Sequence, residues 1–97
     1  MCKTNFQEKV IKDAFGVVIK DWDIVKVRKS AATPDMPESR IGLVVFNLVH
    51  FALLKLKNPK YFTVIDGFSM KPEDGYKYKV IGDLVHDGER MVKGELP

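Results

Sequence analysis

Apolar residues crowd most densely between Ile41 and Leu54, where only Gly42, Asn47 and His50 interrupt them. On a helical turn Arg40, Asn47, His50 and Lys57 share a narrow stripe, while Ile41, Val45, Leu48, Val49, Ala52, Leu53 and Leu56 spread over the opposite side. Leu43, Val44, Phe51 and Leu54 edge toward the polar stripe, so most of the circumference requires cover. The pattern predicts one long helix over 35–58 as the organising element. Its ends carry matching signals: Asp35 as N-cap with Glu38 in the capping-box position, Pro37 in the first turn, Lys55 and Lys57 at the negative end of the dipole, and Asn58-Pro59 as the stop. A membrane span needs about 20 consecutive apolar residues. This run is shorter and holds Asn and His, so protein rather than lipid is expected to cover it.

On either side the period changes. Phe6, Val10, Ile11 and Phe15 predict a short amphipathic helix or a loose arm over 1–15, with Thr4 or Asn5 as cap and Gly16 as breaker. Residues 17–28 read as strand on the aromatic and β-branched density of Trp22, Ile24, Val25 and Val27. Residues 29–34 are a small, polar connection. After the long helix, 61–68 reads as a strand bulged at Gly67, Lys71 to Gly75 as a turn, and 76–84 as the second strand of a hairpin, by its alternation. His86-Asp87-Gly88 then reads as a further hairpin turn, with a third, weaker strand over 89–96 carrying Met91, Val92 and Leu96. Strand, long helix and strand meander predict an α+β fold, one long helix packed on an antiparallel β-sheet. All 97 residues form a single domain with its core in 16–97.

Composition narrows the class further. At 45% hydrophobic and 30% charged the chain is an ordinary globular one, and its net charge of +3 is mild. Basic residues are interspersed with acids, as in Lys12-Asp13, Lys20-Asp21 and Glu89-Arg90, so no nucleic-acid stripe stands out and no nucleic-acid partner is expected. The single cysteine, Cys2, excludes an internal disulfide and fits a reducing compartment. The N-terminus lacks the apolar segment of a signal peptide, so cytoplasm or nucleus is the expected location.

Trp22-Asp23-Ile24-Val25, the acidic, proline-containing lead into Ile41-Gly42, Phe62-Thr63-Val64-Ile65, and Gly75-Tyr76-Lys77-Tyr78-Lys79-Val80 together resemble the cystatins, most of all the plant-type members. The resemblance runs from Trp22 to the C-terminus and implies a helix wrapped by an antiparallel sheet. In that family a three-part wedge enters the cleft of papain-like cysteine proteases: a glycine-containing trunk, a Gln-x-Val-x-Gly loop and a Pro-Trp loop. Here Lys20 and Asp21 stand where the trunk glycines are expected, with Gly16 the nearest substitute. The first loop falls on Lys71, Pro72, Glu73, Asp74 and Gly75, of which only the glycine matches, and no second Trp follows. Burying unpaired charges of this kind in a cleft costs several kcal/mol. The resemblance therefore implies a protein-binding module with a diverged inhibitory loop, weak or non-inhibitory, whose candidate contacts are Gly16, Trp22 and Lys71 to Gly75. An active inhibitor is the alternative, and a small ligand-binding or enzymatic α+β domain the second alternative.

No catalytic centre is expected. His50 falls in the predicted helix and His86 in a turn, neither with a partner at a diagnostic spacing. Cys2 has no neighbouring base, and Asp83, Asp87 and Glu89 group as acids do around turns. No zinc spacing, Walker loop or dinucleotide fingerprint is present, so no metal and no cofactor is expected. One helix on one short sheet would leave Leu43, Phe51 and Leu54 poorly covered, a candidate surface for a homodimer.

Overall fold

Ile41 to Val45, the heart of the predicted helix, is a strand. In the computed structural model, which describes residues 10–57 and 59–96, the chain runs β1 (Asp23–Val27), β2 (Ile41–Val45), α1 (Leu48–Leu56), β3 (Thr63–Asp66), β4 (Tyr78–Asp83) and α2 (Leu84–Lys93). Short 3-10 turns occupy Lys29–Ala31, Gly67–Ser69 and Pro72–Lys77. The four strands form one sheet in the order β3-β2-β1-β4. β1 is antiparallel to both β2 and β4, whereas β2 and β3 are parallel and joined through α1. The sheet is thus mixed, and the single long helix is replaced by two short ones.

The reason lies in cover on both faces. All five residues of β2 are buried, and a strand buried on both faces shows a continuous apolar run rather than an alternating one. Ile41, Leu43 and Val45 join Ile24, Phe62 and Met91 in one core, packed against Phe51 and Leu54 of α1 and Leu84 of α2. Val44 joins Val25, Ile11, Ile19 and Met70 in a second core on the other face. Gly42 completes the strand: a Cβ there would meet the side chain of Ile65 on β3.

The predicted 35–58 helix fails at its start as well. Residues 35–40 form an irregular connection in which Thr33, not Asp35, caps locally, its Oγ1 accepting from Met36 N–H at 3.0 Å. The real cap is Asn47, whose Oδ1 accepts from Val49 N–H (2.9 Å) and His50 N–H (3.3 Å). α1 therefore begins where the polar stripe was thought to pass. Asn58 lies outside the described residues.

Neither hairpin of the expected meander forms. β3 and β4 sit at opposite edges of the sheet, so Lys71 to Gly75 does not join neighbouring strands. Gly67 is not a bulge but part of a 3-10 turn, and the register irregularity falls at Ile24/Val25 in the β1–β4 pairing. His86-Asp87-Gly88 and the residues after it form α2, capped by the Asp83 carboxylate on His86 N–H and ended by Gly94 at φ 75°.

Residues 10–15 are not helical; the rest of the predicted N-terminal element lies outside the described residues. Ile19 N–H donates to the Ile11 carbonyl at 2.8 Å, and Lys12 bridges Val18, folding this segment back on itself. Asp13, only 6% exposed, organises the fold-back. Its carboxylate accepts from Phe15 and Val17 N–H (2.8 Å each) and from Val80 N–H on β4 (2.9 Å). The outer edge of β4 is thereby covered by a side chain, with Ala14 N–H adding a bond to the Tyr78 carbonyl at 3.1 Å.

Candidate functional site

The predicted contact residues do not converge. Gly16 is exposed at a tight turn with φ 84°. Trp22 is half-buried at the entrance to β1, where its N–H donates to the Val44 carbonyl (2.8 Å) and its carbonyl accepts from Leu84 N–H (2.9 Å). Its φ of 71° is rare for a bulky residue, and both neighbours are tied. Asp21 Oδ1 accepts from Phe46 N–H at 2.7 Å, and Asp23 Oδ2 from Lys20 N–H at 2.8 Å. Trp22 is a joint between β1, β2 and α2.

Lys71 to Gly75 satisfies itself. Asp74 Oδ2 accepts from Lys71 N–H (2.9 Å) and Oδ1 meets Lys77 Nζ at 3.4 Å; these interactions hold the Asp74 carboxyl below its ordinary value, the Lys71 bond contributing most. Gly75 is buried where a Cβ would strike the Lys12 carbonyl oxygen, so its place is set by close backbone approach. Lys71, Pro72 and Glu73 remain exposed on the rim of this turn.

Of the two histidines, His86 has a local partner and His50 lies against a ring distant in the sequence. His86 Nδ1 lies 2.9 Å from Asp83 Oδ1 at the start of α2, and the His86 backbone and side-chain hydrogen bonds, in that order, lower the Asp83 carboxyl. Asp83 faces Asp23 across β1 and β4. Asp23 is displaced the other way, upward, by burial first and by the Asp83 charge in addition. The His50 ring stacks obliquely on Trp22, 4.9 Å between centroids, with Nδ1 buried and unpartnered. Among the described residues no group of three or more His, Cys, Asp or Glu converges to hold a metal ion. Cys2 lies outside them.

Two surfaces stand out once the chain is folded. The first is the outer face of α1. None of its nine residues is buried. Phe51 and Leu54 turn half-buried to the core, whereas Leu48, Val49, Leu53 and Leu56 are 54%, 66%, 54% and 82% exposed. Of the predicted oligomer surface, Leu43 is 1% exposed inside β2, and Phe51 and Leu54 are the inward side of the helix. The uncovered apolar residues are the ones the long-helix reading had placed against the sheet. Asn47 and the end of β2 aim this face, since the strand must stop before the helix can turn across the sheet.

The second surface is a basic groove beside β1 and β4, lined by Lys26, Arg28, Lys29 and Lys79 with Glu38 and Phe15. Sequence reasoning missed it because Lys79 lies far along the chain from the Lys26 to Lys29 segment; only strand pairing brings them together. Among the described residues no helix is long and apolar enough to cross a membrane. No family model, curated protein or solved structure matches this chain.

Proposed function

We propose that this chain is a protein-binding module that acts by surface contact through α1. The observation that carries the reading is the exposed row Leu48, Val49, Leu53 and Leu56 on a helix that buries none of its residues. Soluble domains seldom leave contiguous apolar surface without a contact to cover it. Association would remove these side chains from water at about 25 cal/mol per Å² of apolar area, offset by the entropy of docking. A second copy of the chain is the partner most readily tested. Sedimentation velocity should show concentration-dependent association of the wild type in the micromolar range and a monomer for Leu53→Asp. A wild type that stays monomeric at high micromolar concentration contradicts the self-contact.

The cystatin resemblance supplies the alternative partner, a papain-like cysteine protease. Against potent inhibition stand the charged residues of the Lys71 to Gly75 turn, exposed at Lys71 and Glu73, which a protease cleft would have to desolvate. A papain assay separates the readings. No inhibition at about 100 µM, weaker than about −5.5 kcal/mol, is the expected result, and sub-micromolar inhibition would replace the α1 reading with the protease one.

A further inference from the structure

Lys26 of β1 and Lys79 of β4 are direct cross-strand partners, a position in which like charges repel. Both open into the groove of about 910 Å³ that also takes Arg28 and Lys29. Four cations there face one acid, Glu38, a local surplus of three positive charges. None of the four cations belongs to an ion pair among the described residues. Lys26 also borders a smaller cleft with Asp87 and Arg90, but those two charges already face each other at 3.5 Å.

We infer that this groove binds an acidic peptide segment of a protein partner, with apolar residues set between its carboxylates. Arg28 is held ready, its Nη1 donating to the Tyr76 carbonyl at 2.7 Å and its remaining N–H groups free to fork onto a carboxylate. A carboxylate between Lys26 and Lys79 turns their repulsion into two attractions. Phe15, 66% exposed, offers an apolar contact on the same wall, with the Lys79 ammonium 5.5 Å from its ring centroid. Glu38 selects among polyanions. A nucleic-acid strand carries charge at every unit and meets Glu38 with a phosphate, whereas a peptide can place an uncharged residue there. The inference shares with the α1 reading only that the partner is a protein, and the two surfaces are tested separately.

The experiment is fluorescence anisotropy of the full chain with three labelled probes: a peptide alternating glutamate and leucine, a glutamate-only peptide of equal length, and an oligothymidylate. The alternating peptide should bind at least about tenfold tighter than either other probe and weaken as salt is added. Lys26→Gln with Lys79→Gln should lower that affinity at least about tenfold while raising Tm, since the repulsive pair is removed. Phe15→Ala should erase the preference over the glutamate-only peptide, and Leu53→Asp should leave peptide binding unchanged. Absence of binding, equal binding of the glutamate-only peptide, tighter oligothymidylate binding, or affinity indifferent to the lysine pair each overturns the inference.

Discussion

Asp13 and Asp23 show how one residue type takes opposite parts in the same fold. Burial alone would raise the Asp13 carboxyl, but hydrogen bonds from the backbone N–H groups of Val80, Val17, Phe15 and Gly16 outweigh it and hold the group below its ordinary value. A carboxylate stabilised in the folded state contributes stability that is fully present above its unfolded value, about 3.9, and is lost as pH falls through the lower folded value. Asp13→Ala should therefore cost about 2–4 kcal/mol at neutral pH, by leaving buried N–H groups unpaired, and should flatten the acid limb of a urea-denaturation pH profile. Asp23 runs the other way. Its carboxyl is raised by burial and by Asp83, so its contribution is greatest below the unfolded value and fades as pH rises through the folded one. Asp23→Asn, which keeps an oxygen for Lys20 N–H, should leave Tm at neutral pH unchanged or higher; a clear drop would contradict the assignment.

At the scale of elements, the legible parts were those with local signals. The strand character of β1, β3 and β4 followed from β-branched density and alternation around Val25, Val64 and Val80. β2 escaped because a doubly covered strand and a buried helix share the same unbroken apolar run. Ile41, Val44 and Val45 are β-branched and Asn47 is a helix cap, and weighing those two facts together would have divided the run correctly. α2 was misread despite a cap at Asp83, a terminating Gly94, the Lys93–Glu89 pair at 3.6 Å, and Leu84, Gly88 and Met91 on one face; an Asp-Gly pair reads equally as a hairpin turn. Two substitutions separate the accounts. Leu43→Ala, in β2, should cost about 2–5 kcal/mol, whereas Leu53→Ala, on the outer face of α1, should stay within about 0.5 kcal/mol of wild type by chemical denaturation. The long-helix reading expects the reverse. Gly94→Ala should cost about 1 kcal/mol or more, from its left-handed backbone and from a Cβ that would come 2.8 Å from the Tyr61 ring.

On the scale of the whole molecule, two kinds of surface are assembled that no local stretch displays. The mixed sheet uses its two inner strands, β1 and β2, to fill both cores and leaves α1 as an outer ridge, apolar on the side away from the sheet. The β1–β4 pairing draws cations separated along the chain into a single groove. Neither surface was legible from the residues alone, because each depends on which strands become neighbours. Under the proposed function the outer face of α1 is where this protein meets its partner. Amide hydrogen exchange read by mass spectrometry, at about 1 µM and again at about 500 µM protein, tests it most directly for a second copy of the chain, since a micromolar contact fills between those limits. Slower exchange at the higher concentration, confined to peptides covering Leu48–Leu56 and absent in Leu53→Asp, is the predicted result. Exchange across α1 that is the same at both concentrations, or protection that appears on other elements instead, would contradict it.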